Sequence, residues 1–200
     1  MVHQRLKDGH RILWTHQLSF LKSAEFCFYL SFSKIVPKIT RRLFKNNLVV
    51  HESDLPQGKG WSPITWQIME GKQKIAVALI EAEDKVDSGV IYAKEWIDLQ
   101  GNELIDEVRQ AQAQATINLC NLFVNQYPNI TSNAKIQKGT ESFYAKRTPE
   151  DSRLMLGSSL ADQFNLLRTV DNRRYPAFFE FLGCKYTVEI KKYSAPTEEK

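Results

Sequence analysis

The chain has 200 residues, of which 42% are hydrophobic and 25% are charged. These values are typical of one globular domain, or one domain with a small appendage, and they exclude a disordered chain. The formal net charge of +4 comes without a clustered basic patch, so the sequence does not favour nucleic-acid binding.

The cysteines and the apolar runs bear on the compartment. Cys27, Cys120 and Cys184 have no paired spacing and fit neither a disulfide framework nor a zinc site. We therefore expect a cytoplasmic protein that binds no metal. The longest apolar run, FCFYL, is too short to span a bilayer, and no apolar signal region opens the chain. We expect no association with a membrane.

The first elements alternate between helix and strand. The opening MVHQRLKDG resembles the end of a helix that stops at Gly9, and the apolar stretches HRILWTH and FCFYLSF predict two strands. VPKITRRLFKNN predicts a short helix with Pro37 near its start. Its apolar residues should face a sheet, and they are Ile39, Leu43 and Phe44. Its basic residues should face water, and they are Lys38, Arg41, Arg42 and Lys45.

The middle of the chain continues this alternation. NLVVH predicts a strand, and residues 52–60 a loop. Ser62 is a candidate cap for a helix that has Pro63 at its first position and ends at Gly71. IAVALIEA and GVIYAKEWIDL predict two strands joined by the acidic turn EDKVDS. A long amphipathic helix follows over residues 102–127. Its core stripe is Leu104, Val108, Ala111, Ala115, Leu119 and Leu122.

This order of elements predicts an α/β, Rossmann-like fold with a mainly parallel sheet and helices on both faces. We expect a catalytic domain over residues 1–127 and a C-terminal extension over 128–200. The extension should contain a loop, a short helix at SLADQFNLLRTV and a β-hairpin that turns at Gly183 and Cys184. The tail SAPTEEK should be frayed.

A histidine ends the strand NLVVH. Asn47, Val49 and His51 point to one face of that strand. Active sites of parallel α/β sheets lie beyond the C-terminal ends of the strands, and histidine can take a proton from an attacking group near neutral pH. Asp87 is a candidate partner that would stabilise the charged ring. The alternative is a loop histidine and a turn aspartate that are both simply solvated.

Taken together, these motifs resemble the folate-dependent formyltransferase family, which acts on methionyl-tRNA, glycinamide ribonucleotide and sugar nucleotides. VVHESDLP is similar to the family's Asn-x-His and Ser-Leu-Leu-Pro motifs, and DSG, which begins at Asp87, is similar to its Asp-x-Gly motif. FSKIVPK, residues 32–38, is similar to the family's pterin-pocket loop. The resemblance covers residues 10 to about 100.

The resemblance implies 10-formyltetrahydrofolate as the formyl donor, an amine as the acceptor, and no metal. His51 would take the amine proton or, as imidazolium, stabilise the developing oxyanion, and Asp87 would hold His51 charged. The residues that would flank the folate are Ile35, Val36, Pro37, Ser53, Asp54, Leu55 and Pro56.

The C-terminal part narrows the acceptor. RTPEDSR, FNLLRTVDN and YPAFF resemble the segment after the catalytic domain in formyltransferases that act on nucleotide-linked 4-amino-4,6-dideoxy sugars, the reaction of lipopolysaccharide O-antigen biosynthesis. This implies Arg147, Arg173 and Tyr175 as substrate contacts, because guanidinium groups pair well with phosphate oxygens. We expect no room for a tRNA-binding barrel.

Three alternatives to this function stay open: another formyltransferase, a formyltetrahydrofolate hydrolase, and a non-catalytic ligand-binding member of the family. The apolar hairpin around FFEFL is a candidate homodimer interface.

Two features depart from the family pattern. Val49 stands where the family has its catalytic asparagine, and Asn47 lies four residues before His51, roughly 13 Å along a strand. Ser33 and Ser53 are candidates for the missing hydrogen-bond donor. Relatives also begin with a strand and a turn before the helix that ends at Gly9. We therefore expect either a true start further upstream or a weakened, association-prone domain.

Overall fold

A computed structural model describes residues 2–193, apart from the side chain of Gln4. The expected frayed tail lies outside these residues. The helices are α1 Val2–Lys7, α2 Lys38–Arg41, α3 Pro63–Met69, α4 Ile105–Gln126, α5 Asn129–Ser132 and α6 Phe164–Thr169. The strands are β1 Ala24–Tyr29, β2 Phe44–His51, β3 Lys59–Gly60, β4 Lys74–Glu81, β5 Ile91–Asp98, β6 Phe143–Tyr144, β7 Ala177–Phe181 and β8 Cys184–Val188.

Four strands form the central sheet in the order β1-β2-β4-β5. The predicted α/β class is confirmed, but parallel pairing within this sheet is confined to β1 and β2. The pairs β2–β4 and β4–β5 are antiparallel. The turn between β4 and β5 explains one of these pairs, because a parallel crossover needs about a dozen or more residues and this turn is shorter.

The largest core lies between the sheet and helices α3 and α4. Leu48 and Leu79 of the sheet pack there with Ile68 of α3 and with Leu119 and Phe123 of α4. The long helix is confirmed. Its buried stripe ends on Phe123 rather than on Leu122, which is partly exposed. A straight α-helix has 3.6 residues per turn, so the buried stripe drifts around a helix of this length.

The N-terminal part differs from the sequence prediction in two places. Residues 10–16 form no strand, and Trp14 there is 61% exposed. Around α2 the expected faces are only partly correct. The basic residues exposed as predicted are Lys38, Arg42 and Lys45. Against the prediction, Ile39 is 72% exposed and Arg41 is buried. The guanidinium of Arg41 donates to the carbonyl of Ala82 at 2.8 Å and pairs with Asp84. A helix of one turn is too short for its apolar periodicity to decide which side is buried.

Two local turns also differ in detail. The β7–β8 hairpin turns at Leu182 and Gly183, with φ values of 50° and 77°, one residue earlier than predicted. Two consecutive positive φ values are the requirement of a type I′ turn. Ser62 precedes α3 at φ 48° and makes no capping hydrogen bond through its side chain, while Pro63 does begin the helix. Among the residues described, no helix is long and apolar enough to cross a membrane.

Candidate active site

A cavity of about 620 Å³ opens beside the carboxyl end of β2. This volume suits a small-molecule ligand. Its wall includes residues 31–36 and the end of β4 with the turn after it. Residues 60–65, α4 and the C-terminal extension also contribute to the wall. His51 and Asp87 both line the cavity, so the structure brings together the two residues that the sequence paired.

His51 is held through both ring nitrogens and is only 6% exposed. Its Nε2 lies 2.8 Å from the carbonyl oxygen of Gly58. A carbonyl can only accept, so this nitrogen carries a proton and donates. Its Nδ1 lies 3.6 Å from Oδ2 of Asp87, which is an ion-pair distance rather than a hydrogen bond. A doubly protonated ring would therefore face a carbonyl on one side and a carboxylate on the other.

Asp87 occupies a strained turn. Its φ is 49°, a left-handed conformation that aspartate adopts more readily than most residues. Its Oδ2 accepts a hydrogen bond of 2.8 Å from the backbone N–H of Gly60. Gly89, two residues later, lies so close to the carbonyl of Glu81 that a Cβ there would collide with it. The glycine of the DSG motif thus lets the turn pack onto β4.

Unusual backbone recurs around the cavity. Ser31, Ser62 and Asp87 all have positive φ values near 50°, and all three line the cavity. Such conformations each cost of order 1–3 kcal/mol and persist only where the surrounding structure imposes them. Their concentration here is an independent indication that this cavity is the functional one.

Asn47 does not replace the missing donor at position 49. β2 pairs in continuous register, with β1 through Val49 and with β4 through His51, so no bulge brings Asn47 forward. The amide of Asn47 is engaged elsewhere: Oδ1 accepts from Tyr29 Oη at 2.9 Å, and Nδ2 donates to the carbonyl of Arg41 at 3.0 Å. Val49 itself lines the cavity and presents no donor there.

Of the two serines considered as donors, Ser33 lines the cavity. Ser53 is buried outside that wall, and its Oγ has no hydrogen-bond partner among residues 2–193.

The predicted folate contacts separate into two groups. Ile35 and Val36 line the cavity, whereas Pro37 lies outside the described wall and immediately precedes α2. The Ser53–Pro56 turn, which was expected to flank a ligand, also lies outside it. Asp54 pairs with Lys94, and Leu55 packs in the core against Ile80.

The predicted acceptor contacts also divide. Arg147 and Tyr175 line the cavity, and so does Arg174, while Arg173 lies outside the described wall. Burial lowers the pKa of Arg147, whose Nη2 donates to Ser152 Oγ at 3.1 Å. Neighbouring arginines in a turn project in different directions, and composition cannot tell which of them reaches the cavity.

Several polar residues of the wall were not anticipated from the sequence. Glu52 accepts a 2.6 Å hydrogen bond from Nε2 of Gln112, and Arg109 pairs with Asp171 at 2.6 Å. Glu81, at the end of β4, accepts from the backbone N–H of Asn47 at 2.7 Å. Burial raises the pKa of the Glu81 carboxyl. Only Glu52 had a usable signal, its place directly after His51. No group of three potential metal ligands occurs among the residues described.

A comparison with protein-family models matches residues 16–121 to the family described as formyl transferase. Among curated proteins, the chain is 25% identical over 182 residues to the bifunctional polymyxin resistance protein ArnA of Wigglesworthia glossinidia brevipalpis. It is 23% identical over 154 residues to methionyl-tRNA formyltransferase of Mycoplasma capricolum. These matches cover 88% and 75% of this chain. They span only 27% and 49% of the two relatives.

Solved structures show the same fold. Methionyl-tRNA formyltransferase from Clostridium thermocellum aligns with a TM-score of 0.70 and 22% identity, over 86% of this chain and 74% of that one. A sugar N-formyltransferase from a Shewanella species aligns with a TM-score of 0.66 and 16% identity, over 86% and 71%. HypX from Aquifex aeolicus in complex with tetrahydrofolic acid aligns with a TM-score of 0.62 and 15% identity, over 83% and 29%. The fold that the sequence motifs predicted is confirmed.

Proposed function

Since this chain belongs to the formyl transferase family, we propose that it transfers a formyl group from 10-formyltetrahydrofolate to the amine of a nucleotide-linked 4-amino-4,6-dideoxy sugar. The observation that carries this proposal is the His51–Asp87 pair in the wall of a cavity large enough for small-molecule substrates. The same proposal divides the chain into a catalytic domain over residues 1–127 and a C-terminal extension over residues 128–200.

The cavity fits a reduced folate. A pterin is flat, with apolar faces and a polar edge. Val36, Val49 and Ile80 provide an apolar wall, and residues 81–83 and 85–87 adjoin it in the lining of the cavity. When bound there, 10-formyltetrahydrofolate would supply the formyl group. These residues would hold its ring system, and Ile35 would cover it from the solvent side.

His51 is placed to manage the proton of the amine. With Nε2 already donating to Gly58, Nδ1 is the nitrogen left to accept a proton. The imidazolium formed would have Asp87 3.6 Å from Nδ1, and a carboxylate there stabilises the positive charge. A positioned base of this kind typically contributes about 10²–10⁴ in rate.

Basic residues of the cavity wall suit a negatively charged acceptor. Arg109, Arg147 and Arg174 line it together with Tyr175. Guanidinium groups bind phosphate oxygens in bidentate geometry, and a tyrosine ring can stack on a sugar or base. These residues would hold a nucleotide diphosphate while the sugar amine reaches toward His51.

Two further properties belong to the proposal. A cytoplasmic location agrees with the free state of all three cysteines. A homodimer could form through the β7–β8 hairpin, where Phe181 and Leu182 are exposed. Sedimentation velocity should then show a dimer that Leu182→Asp dissociates, and a monomeric parent protein would contradict the dimer.

The function is tested by incubating the protein with 10-formyltetrahydrofolate and a dTDP-4-amino-4,6-dideoxyhexose and measuring the product by mass spectrometry. We expect the sugar to gain the mass of one formyl group, and His51→Ala to abolish the gain.

Other outcomes separate the alternatives. Formylation of methionyl-tRNA in a parallel reaction would identify that acceptor instead. Release of formate without either product would indicate a hydrolase. Ligand-induced thermal stabilisation without any turnover would indicate a binding protein.

A further inference from the structure

We propose that residues 137–144, here called the clamp segment, position the His51–Asp87 pair from outside the cavity. The segment lies beyond residues 16–121, the part that matches the family model. It is hydrogen-bonded to the backbone of the Asp87 turn and to the loop whose Gly58 carbonyl contacts His51. The inference rests on the proposed function, because it assigns positioning residues to that reaction.

One end of the clamp segment holds the Asp87 turn. Nε2 of Gln137 donates to the carbonyl oxygens of Asp87 and Gly89, both at 2.8 Å. Just before it, Lys135 and Ile91 exchange two backbone hydrogen bonds of 2.8 Å each. Gln137 therefore bridges the two sides of a turn whose aspartate is in a strained conformation, and it fixes the direction in which the carboxylate points.

The other end holds the loop that carries the hydrogen-bond acceptor of His51. The N–H of Gly58 donates to Oγ of Ser142 at 2.8 Å, and the N–H of Lys59 donates to the carbonyl of Ser142 at 2.9 Å. This pairing continues as the parallel ladder of β3 and β6. The same loop presents the carbonyl of Gly58 to His51 and the N–H of Gly60 to Asp87. Ser142 thus acts on both catalytic side chains through one loop.

The loop and the clamp segment are in such close contact that two glycines are required. A Cβ on Gly58 would lie 2.9 Å from Cε2 of Tyr144, and one on Gly60 would lie 2.5 Å from the Tyr144 carbonyl oxygen. Gly60 also has a φ of 98°, which side chains rarely adopt. The glycine spacing of GKG is therefore explained by the clamp segment that packs on it.

A buried charge strengthens the same contact. Lys59 is 1% exposed, and its Nζ donates to Oε1 of Glu141 at 2.6 Å. This interaction lowers the pKa of the Glu141 carboxyl. Lys59 is buried whereas Glu141 is partly exposed, so loss of the carboxylate would leave a buried ammonium group without its partner. The pair therefore links the loop to the clamp segment.

Gln137, Glu141 and Ser142 all lie outside the described cavity wall. They would therefore act through His51 and Asp87 rather than by touching substrate. Misplacing a catalytic group by about 1 Å can cost roughly 10²-fold in rate. Loss of a clamp contact should accordingly lower kcat and leave KM nearly unchanged.

The kinetic test compares Gln137→Ala and Ser142→Ala with Ser142→Thr, which keeps the hydroxyl. The control is Thr140→Ala, because the exposed hydroxyl of Thr140 has no hydrogen-bond partner within residues 2–193. With the substrates named above, each alanine variant at 137 and 142 should lower kcat about 10- to 100-fold, with KM changed less than about twofold. Ser142→Thr and Thr140→Ala should resemble the parent protein. A rise in KM as large as the fall in kcat, in either alanine variant, would overturn the proposal.

A second measurement does not depend on turnover. In ¹⁵N-labelled protein, the Nε2–H signal of His51, assigned by its loss in His51→Ala, should be protected from solvent exchange by the Gly58 carbonyl. Ser142→Ala should speed this exchange at least about 10-fold while Thr140→Ala leaves it unchanged. Unchanged exchange would overturn the clamp. Faster exchange in a protein that turns over no substrate would support the clamp and refute the proposed function.

Discussion

Two buried polar clusters lie on the same strand, one around His51 at its carboxyl end and one around Asn47 at its middle, and they differ in what they leave free. At the carboxyl end of β2, His51 is 6% exposed; four residues earlier Asn47 is 5% exposed. Both side chains point to the same face of the strand. His51 itself lines the cavity, whereas Asn47 does not: its side chain is enclosed by Tyr29 and Arg41, which it contacts through hydrogen bonds.

The partners of Asn47 satisfy its hydrogen-bonding capacity. Its amide contacts Tyr29 and Arg41, and its backbone N–H donates to Glu81. Glu81 in turn accepts from the Tyr92 hydroxyl at 2.8 Å. This network ties β1, β2, β4 and β5 together. Burial alone therefore does not distinguish the two side chains. His51 differs from Asn47 because it is a reactive group that lines the cavity.

The largest expected effect separates the two clusters directly. His51→Ala should lower kcat for formyl transfer about 10²–10⁴-fold, because it removes the base and the charge that faces Asp87. The free energy of unfolding should change little, because His51 lines the cavity and the space left by its side chain would open into that cavity. Mass-spectrometric product formation and urea unfolding measure the two quantities.

Asn47→Ala is the matched control. It should keep most of the activity but lower the free energy of unfolding by about 1–3 kcal/mol, because Tyr29 and the Arg41 carbonyl lose a buried partner. The comparison would be broken if Asn47→Ala abolished turnover while leaving stability intact.

The next effect concerns the residue between the two clusters. Val49→Asn should raise kcat about 10- to 100-fold, because it places a donor in the cavity wall where one such donor is typically worth about 10²–10³ in rate. Val49→Leu, which adds no donor, is the control. Equal rates in the two variants would show that another group, such as Ser33, already supplies the hydrogen bond.

A smaller effect distinguishes two adjacent arginines. Arg174 lines the cavity and Arg173 does not, so only Arg174→Ala should weaken acceptor binding. Loss of a charge-assisted hydrogen bond to phosphate predicts a rise of about 10-fold in KM for the nucleotide sugar. Steady-state kinetics at saturating folate measure it. A larger rise with Arg173→Ala would instead restore the contact that the sequence suggested.

The smallest effect is a pH dependence of the free energy of unfolding that comes from Glu81, a partner of Asn47. Burial raises the pKa of Glu81 above its ordinary value of 4.5. The stability that this group contributes is then fully present below the unfolded pKa and is lost as pH rises through the folded pKa. Relative to Glu81→Gln, the parent protein should lose free energy of unfolding as pH rises above the ordinary value of 4.5. Urea unfolding at several pH values measures this difference, with the exposed Asp98→Asn as control. A difference that stays constant with pH would contradict the assignment.

Local patterns were sufficient for most of the regular elements, although not for the strand predicted at residues 10–16. The apolar runs of β4 and β5 and the stripe of α4 depend on neighbours two to four residues apart, and all three elements were predicted correctly. The strand that ends at His51 was also correct. The motifs around His51 and Asp87 identified the family because their chemistry requires particular residues at short spacing.

Only the tertiary structure decided which polar residues are buried and which reach the cavity. Arg41 is buried because the turn after β4 brings Ala82 and Asp84 to it, more than forty residues away. Gln137 and Ser142 reach the Asp87 turn and the Gly58 loop across fifty and eighty-four residues. The sequence by itself predicted most of the elements and the pairing of His51 with Asp87, since these depend on local periodicity and residue chemistry. Their placement relative to each other depends on long-range packing, which no local pattern records.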